Sequence, residues 1–284
     1  MNDCQAIHYE ALTNGGVRCL LCPHYCEIQQ EDTGICGVRK NHSGKLVAKS
    51  YAKVNGLALD PIEKKPLHFF HPGSMILSVG TYGCNLDCTF CQNHKSVRQA
   101  NDGDVLMPDE LVKIAQKYTS QGNIGVAYTY NEPVVGYEYV YLAAKLVKSA
   151  GLKNVLVTNG FINPEPLGEL LPFVDAMNID LKGFTQGFYG KLGGKLETVK
   201  QTITKAVSKC HVEVTMLVIP DENDEDIEEV AKWLASVDPK TPLHLSRFFP
   251  RYKYASREPT PVKTLKHAES IAKKHLTNVV LGNV

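Results

Sequence analysis

Three cysteines are spaced so that they can ligate an iron–sulfur cluster. Cys84, Cys88 and Cys91 are separated by three and two residues, and an apolar run at 75–79 precedes them. Three thiolates hold three irons of a cubane [4Fe–4S] cluster, whereas a structural cluster normally has four cysteine ligands. The fourth iron therefore stays open and can bind a small molecule. The alternatives are a zinc site completed by a distant histidine or cysteine, and a chance grouping.

A second group of cysteines, Cys19, Cys22, Cys26 and Cys36, lies near the N-terminus. Gaps of two, three and nine residues allow these thiols to surround one zinc ion or all corners of an auxiliary [4Fe–4S] cluster. The spacing does not separate zinc from iron, and some of the four could be plain reduced thiols. Because clustered cysteines in a chain without an export signal favour metal binding over disulfides, we expect a second metal site.

The composition indicates a globular chain. The 284 residues are 43% hydrophobic, which allows one large α/β domain and a small appendage. The net charge of +1 gives no overall basic field, so nucleic-acid binding is not indicated, although a local basic patch is compatible with this charge. No segment approaches the ~20 apolar residues that span a bilayer, and the N-terminus does not resemble a signal peptide. We therefore expect a cytoplasmic protein without membrane contact.

The chain divides into a Cys-rich extension at 1–72 and a larger domain at 73–284. From residue 75 onward, strand-like apolar runs alternate with amphipathic helical patterns, which is typical of βα units. The predicted strands are 75–80, 124–130, 154–158, 174–181, 211–219, 243–248 and a short 278–281. Six successive βα units with right-handed crossovers predict an α/β fold, an open partial (βα)6 TIM-like barrel.

Polar residues collect where the predicted strands end, which is the edge that carries the chemistry in such barrels. They are Asn131, Glu132, Thr158, Asn159, Asp180 and Lys182. Each has a simpler explanation when taken alone. Glu132 could be a first-turn acid of a helix, Asn159 part of an ordinary turn, and Asp180 and Lys182 an ion pair on alternate strand positions. Their convergence on one edge of the barrel favours a binding site.

The cysteine loop resembles the defining motif of radical S-adenosylmethionine (SAM) enzymes, with Phe90 as the aromatic residue before the third cysteine. This resemblance implies a [4Fe–4S] cluster whose open iron is chelated by SAM. One electron then cleaves SAM to a 5′-deoxyadenosyl radical that abstracts hydrogen from a substrate. Glu132 matches the superfamily's Gly-Gly-Glu element in position, although Tyr-Asn-Glu stands here. The implied SAM-binding set is Tyr82, Phe90, Asn131, Glu132, Thr158, Asn159, Asp180 and Lys182.

A closer resemblance, to the AmmeMemoRadiSam radical SAM family, extends from Cys19 to Val284. The segments that carry it are DPIEKKPL (60–67), SVGT (78–81), CQN (91–93), YTYNEP (128–133), DAMNIDLK (175–182) and PLHLSRFFP (242–250). This resemblance implies Memo-type and AMMECR-type partner proteins. It also implies an electron donor such as flavodoxin or ferredoxin. The family is similar to the activating enzymes of glycyl radical enzymes, including that of pyruvate formate-lyase.

Three functions are compatible with these residues. The first is a radical SAM enzyme acting with Memo-type and AMMECR-type partners on an undetermined substrate, which could be a small molecule, a protein or an RNA. The second is an activating enzyme that makes a glycyl radical on a partner; its extra cysteines would be expected downstream of the SAM loop, whereas here they lie upstream. The third is a metal-bound scaffold without turnover, in which Glu132, Asp180 and Lys182 have no evident purpose.

Overall fold

The computed structural model describes residues 4–98 and 104–284. Within these ranges the strands are β1 Cys4–Gln5, β2 Tyr9–Ala11, β3 Val17–Cys19, β4 Glu27–Ile28, β5 Arg39–His42, β6 Lys45–Ala48, β7 Lys53–Val54, β8 Gly56–Pro61, β9 Met75–Gly80, β10 Asp104–Val105, β11 Asn123–Tyr128, β12 Lys153–Thr158, β13 Ala176–Asp180, β14 His211–Val218, β15 Leu243–Arg247 and β16 Val279–Gly282. The α-helices are α1 His94–Arg98, α2 Pro108–Lys117, α3 Tyr137–Ser149, α4 Pro164–Leu170, α5 Gln186–Lys191, α6 Leu196–Val207, α7 Ile227–Val237 and α8 Val262–Ala272.

One eight-stranded sheet forms the framework of the described chain. Its strand order is β16-β15-β14-β13-β12-β11-β9-β8, and every neighbouring pair is parallel except β8 with β9. Helices connect successive parallel strands, so the predicted partial barrel is confirmed. The predicted strands differ from the observed ones by no more than two residues at any end. The short strand predicted at 278–281 pairs in parallel with β15 and ends one side of the sheet.

Alternating residues on the strands separate a helix-facing side from a cavity-facing side. On β14, Val214 and Met216 are fully buried and pack in the main core with residues of the helices. Thr215 and Leu217, the alternate residues of the same strand, line the interior cavity. Because successive side chains of a strand point to opposite faces, one apolar run serves both the core and the site.

The N-terminal segment packs on the barrel through its own small antiparallel sheets, β1-β6-β5 and β2-β3-β4. Val17, Leu21 and Leu46 are buried in the same hydrophobic core as the barrel helices. The division at 72/73 stays a prediction, and β8, which precedes it, pairs along its whole length with β9, which follows it. The two parts are therefore joined by backbone hydrogen bonds as well as by apolar contacts. No helix in the described ranges combines the length and apolarity that a bilayer crossing requires.

Candidate functional site

The cysteine loop follows β9 at the carboxyl end of the parallel strands and opens onto a cavity of about 600 Å³. The predicted site residues among those that line it are Cys84, Cys88, Phe90, Cys91, Asn131, Glu132, Thr158, Asn159, Asp180 and Lys182. The entry to the loop requires a glycine: Gly83 has a φ of +95°, and a Cβ atom there would lie 2.6 Å from Cγ1 of Val38. The loop is thus seated directly on the N-terminal segment.

Asn131 fixes the start of the cysteine loop. Its side-chain amide donates hydrogen bonds to the carbonyl oxygens of Tyr82 at 3.1 Å and of Gly83 at 3.3 Å. Its carbonyl oxygen accepts from the backbone amide of Thr81 at 3.0 Å. These bonds tie the residues after β11 to the residues after β9, and they give Asn131 a positioning task in addition to its place on the cavity wall.

Glu132 is a buried carboxylate, 3% exposed, in the wall of the cavity. Its Oε1 accepts hydrogen bonds from the hydroxyl of Thr158 at 2.6 Å and from the backbone amide of Val134 at 3.2 Å. Its Oε2 accepts from the backbone amide of Asn159 at 2.7 Å. Burial raises the pKa of Glu132 to about 7 despite these donors. A nearby cation would therefore stabilise its ionised form.

Asn159 connects the carboxylate region to the cysteine loop. Its side-chain amide donates to Oδ1 of Asn85 at 2.9 Å and lies 3.7 Å from the sulfur of Cys84. The Asn85 amide in turn donates to the carbonyl oxygen of Phe161 at 2.7 Å. The segment after β12 thus holds the loop from the side opposite to Asn131.

Asp180, the last residue of β13, pairs with Lys182 across 2.7 Å inside the cavity. Alternate positions near the strand end bring both side chains to one face, as the sequence predicts. Burial opposes the charge of Lys182, but Asp180 and Cys88 together outweigh burial and raise the lysine pKa. Lys182 therefore stays protonated and adds a fixed positive charge beside Cys88 and Cys91, where it favours the thiolate forms.

The three thiols of the loop have the surroundings that suit iron ligands. Burial raises the pKa of Cys84, and it raises the pKa of Cys88 to about 11, with Lys182 opposing the rise at Cys88. Without metal these thiols are protonated, and cluster binding must release their protons. A cation already placed beside the cavity lowers the cost of that step. Three thiols, with the lysine as a neighbouring charge and not a ligand, fit a cluster that keeps an open iron.

Two aromatic residues of the predicted set have different surroundings. Phe90 is 3% exposed, lines the cavity and stacks on Phe188 with ring centroids 6.2 Å apart. Tyr82 is absent from the cavity wall: its ring packs with Val38 and Val135, and its hydroxyl donates to the carbonyl oxygen of Lys49 at 3.0 Å. The role of Tyr82 that these contacts support is to anchor the loop to the N-terminal segment.

Comparison with known proteins decides the family. The radical SAM superfamily profile matches residues 78–234, more than half of the chain. The chain belongs to the radical SAM superfamily. Members of this superfamily are enzymes, and membership implies a [4Fe–4S] cluster and SAM. The matched residues run from β9 through α7 and include the cysteine loop, Glu132 and the Asp180–Lys182 pair.

Relatives and solved structures agree with this assignment. The chain is 40% identical over 290 residues to the uncharacterized protein MJ0808 of Methanocaldococcus jannaschii, covering 99% of this chain and 85% of that protein. It is 28% identical over 227 residues to MJ1227 of the same organism, whose name places it provisionally among the glycyl-radical enzyme activating enzymes; the match covers 72% and 87%. SuiB of Streptococcus suis, solved with S-adenosylmethionine, shares the fold with a TM-score of 0.55 and 12% identity, over 70% of this chain and 48% of that one.

The wall of this radical SAM cavity also contains two histidines that are outside the predicted SAM-binding set. They are His68 and His244, whose ring centroids lie 5.0 Å apart. Nε2 of His244 lies 2.6 Å from Glu213, a fully buried carboxylate at the third position of β14. The sequence contains one signal for this network, because Glu213 stands between Val212 and Val214 in a predicted strand. A charged residue that is buried there needs dedicated partners.

The four N-terminal cysteines lie around one small cavity. Cys19, Cys22, Cys26 and Cys36 line a small second cavity, apart from the large one, together with Arg39 and apolar side chains. Burial raises the pKa of the Cys22 thiol to about 12 and also raises that of Cys36. In the described residues, no three histidine, cysteine or acidic side chains meet closely enough to hold one metal ion, at either cysteine group. All nine cysteines are free thiols.

Proposed function

We propose that this radical SAM chain holds a [4Fe–4S] cluster through Cys84, Cys88 and Cys91 and binds SAM between the cluster and Glu132. The observation that carries the proposal is that the three thiols line a single cavity together with seven of the eight candidate SAM residues, all except Tyr82. Three protein thiolates leave one iron of a cubane free for SAM. A cavity of about 600 Å³ falls in the range of small-molecule sites.

The contacts of the cavity support a role for each side chain. Glu132 receives the ammonium group of SAM, and Thr158 and Asn159 keep its carboxylate in place. Lys182 stabilises the nearby thiolates, while Asp180 keeps the lysine charged and offers acceptor oxygens to a ribose hydroxyl. With one electron from a reductant, a cluster and SAM bound here would supply reductive cleavage of SAM to methionine and a 5′-deoxyadenosyl radical able to abstract hydrogen.

Anaerobic reconstitution tests this proposal. The protein is loaded with iron and sulfide, mixed with SAM, and reduced with dithionite, with reduced flavodoxin or with reduced ferredoxin. We expect 5′-deoxyadenosine and methionine to form in equal amounts, and the two protein reductants identify the class of electron donor. A fully loaded protein that binds SAM but forms no 5′-deoxyadenosine with any of the three reductants would support the metal-bound scaffold instead.

Replacement of Glu132 by glutamine is expected to weaken SAM binding. The neutral amide has one acceptor oxygen where the carboxylate has two, so the SAM ammonium group loses a charged partner in an enclosed site. The expected loss is ~1.5–3 kcal/mol, or about one to two decades in affinity. The measurement is SAM titration by isothermal calorimetry at equal cluster loading.

The matched control for that measurement is Glu165→Gln, a change at an exposed first-turn acid of α4. Iron content should be the same in both variants, because neither change touches an iron ligand. If Glu132→Gln binds SAM as tightly as the wild type, Glu132 serves only the turn at Pro133–Gly136, whose first residues it caps. The ammonium group would then have to bind near Asn131 or Gly160.

We further propose that Memo-type and AMMECR-type proteins are the partners of this enzyme, with the cytoplasm as its compartment. The support is the family resemblance carried by YTYNEP (128–133) and PLHLSRFFP (242–250). Purified proteins of both types from the same organism should raise the rate of 5′-deoxyadenosine formation when added to the loaded enzyme. An unchanged rate with both partners present would count against this partnership.

The second candidate function is activation of a glycyl radical enzyme. The observation that favours it is the 28% identity to MJ1227 over 72% of the chain. In an activating enzyme the 5′-deoxyadenosyl radical takes a hydrogen atom from a glycine of the partner. The products are 5′-deoxyadenosine and a glycyl radical on the partner. Electron paramagnetic resonance of a candidate partner after incubation with the loaded enzyme and SAM would detect that radical. Its absence at full SAM turnover would leave the first function in place.

A second metal centre at Cys19, Cys22, Cys26 and Cys36 belongs to the same proposal. The support is that all four thiols line one small cavity. Four thiolates suit either a zinc ion or a closed [4Fe–4S] cluster, which both bind four sulfur ligands. Metal analysis of a variant that lacks Cys84, Cys88 and Cys91 separates this centre from the SAM cluster.

A further inference from the structure

We propose that the N-terminal metal–thiolate centre is completed by the buried guanidinium of Arg39 and braces the loop that carries Cys84. The inference rests on the second metal centre proposed above and assigns its charge partner and its task. It holds for zinc and for a closed [4Fe–4S] cluster alike, because four thiolates around either centre leave two net negative charges.

The four thiols come from two stretches of chain, residues 19–26 and the loop with Cys36, and line one cavity. Cys19 ends β3, Cys22 and Cys26 lie in the following turn, and Cys36 lies in the loop before β5. The backbone amide of Cys19 donates to the carbonyl oxygen of Cys26 at 3.0 Å, closing that turn. The remaining wall is largely apolar and includes Leu21, Ile28 and Val135. Such a wall offers a bare dianionic centre little compensation, so a nearby cation is needed.

Arg39 provides that cation. Its side chain is 2% exposed and forms a two-pronged ion pair with Glu138, with N–O distances of 3.0 and 2.9 Å. The two terminal nitrogens are therefore used. The third donor, Nε, is buried and has no hydrogen-bond partner among the described residues. Arg39 lines the cysteine cavity, so a metal-bound thiolate or a cluster sulfide is the acceptor that this donor lacks.

The guanidinium of Arg39 lies in the wall of the same cavity as the four thiols. Glu138 is neutralised by Arg39 and also accepts a hydrogen bond from the backbone amide of Ile7 at 3.1 Å. The ion pair thereby ties the cysteine cavity to the residues that follow β1 and to helix α3 of the barrel. It has the position of an outer-sphere partner, which orients ligands and tunes metal affinity.

The cysteine cavity borders the SAM-cluster loop without an intervening layer. The backbone amide of Cys84 donates to the carbonyl oxygen of Cys36 at 3.3 Å. Nε2 of His24 lies 2.7 Å from the carbonyl oxygen of Asn85, and Asn85 itself lines the cysteine cavity. A centre that fixes Cys22 and Cys36 therefore fixes the two residues that begin the CysX3CysX2Cys loop. Metal loss at the N-terminus should loosen the SAM cluster, and the coupling should be reciprocal.

The first experiment asks whether the centre exists. The Cys84→Ala/Cys88→Ala/Cys91→Ala variant is purified without oxygen, and its zinc, iron and sulfide are measured against a variant that also has Cys19, Cys22, Cys26 and Cys36 replaced by serine. We expect the first variant to hold one zinc, or four irons and four sulfides, and the second to hold none. Equal metal contents in the two variants would overturn the proposed centre, while 5′-deoxyadenosine formation by the wild type would still test the SAM site.

The second experiment tests Arg39 with a variant that avoids an unpaired buried charge. Arg39→Met/Glu138→Met removes both charges together, whereas Arg39→Met alone leaves Glu138 unpaired and is prone to misfolding. In the background without Cys84, Cys88 and Cys91, the double variant should lose its metal to a chelator about tenfold faster, the size expected for an outer-sphere partner. The rate of metal release from the Arg39→Lys variant should lie between the rates of the parent and of the double variant. An unchanged release rate in a folded double variant would overturn the role of Arg39.

The third experiment tests whether the N-terminal centre braces the loop that carries Cys84. With Cys84, Cys88 and Cys91 intact, replacing the four N-terminal cysteines by serine should speed iron loss from the SAM cluster about tenfold. The SAM-induced change in the electron paramagnetic resonance spectrum of the reduced cluster should also weaken at equal cluster loading. Cys210→Ala, a change at a cysteine outside both cavities, is the matched control. Unchanged iron loss together with an unchanged spectrum would overturn the brace and leave the SAM site unaffected.

Discussion

Alanine in place of Cys84, Cys88 and Cys91 is expected to abolish the formation of 5′-deoxyadenosine. These thiols are the proposed cluster ligands, and they line the large cavity together with Glu132 and Lys182. Without them no cluster is held where SAM binds, so SAM receives no electron. The measurement is chromatographic detection of 5′-deoxyadenosine after anaerobic incubation with SAM and dithionite.

Two outcomes would separate this assignment from its rivals. Cys210→Ala should retain full activity, since Cys210 is a partly buried thiol in the turn before β14 and lines neither cavity. The triple variant should keep the wild-type circular dichroism spectrum, because the loop is also held by Asn131 and Asn159. A triple variant that still cleaves SAM reductively would contradict the assignment and direct attention to the N-terminal cysteines.

The barrel could be predicted because its signals are local. On β9 and β14, apolar residues repeat in continuous or alternating runs that only a strand of a covered sheet explains. Helix α7 repeats its apolar residues at the helical period, and Ile227, Val230 and Leu234 are all buried. Gly122 and Gly151 follow helical segments and both have positive φ. Glycine is favoured at such positions because it adopts this backbone conformation without strain.

Other features depend on contacts between distant residues, which no local pattern contains. The pairing of β8 with β9 is antiparallel and joins the N-terminal segment to the barrel, yet β8 is mostly half-exposed and carries no strong strand signal. Tyr82 lies two residues before Cys84, and the sequence does not show that its ring turns away from the cavity toward Val38 and Val135. The direction of a side chain in an irregular loop depends on the neighbours it meets there.

The site residues likewise differ in how far the sequence could predict them. Asp180 and Lys182 could be assigned because a strand places alternate residues on one face. Glu132 could be assigned only by its position after the second predicted strand, and the structure adds the three donors that hold it. Both readings of Glu132 turn out to be compatible, since it caps the turn at Pro133–Gly136 and also faces the cavity.

Alanine in place of Glu213 is expected to lower the free energy of unfolding by ~3–5 kcal/mol, the range for breaking a buried charged network. This carboxylate is fully buried and has four partners: His211 at 2.9 Å, His244 at 2.6 Å, and the backbone amides of His68 and Phe69 at 3.0 and 2.8 Å. Burial alone would raise the pKa of Glu213, but these partners lower it to about 2. The ionised carboxylate therefore stabilises the fold above its usual pKa of 4.5, and this contribution is lost as the pH falls toward 2.

Urea unfolding at pH 7 measures the effect, with Glu258→Ala, a change at an exposed glutamate, as the matched control. Glu213→Gln should lose less than Glu213→Ala, because its amide oxygen still accepts from part of the network and its volume fills the site. His68 and His244 lie in the cavity wall, and the amides of His68 and Phe69 bind Glu213, so Glu213→Ala should also loosen this part of the wall and speed amide hydrogen exchange there. A variant as stable as Glu258→Ala, with unchanged exchange at residues 68 and 69, would mean that the two histidines find other partners and that Glu213 does not hold this end of the cavity.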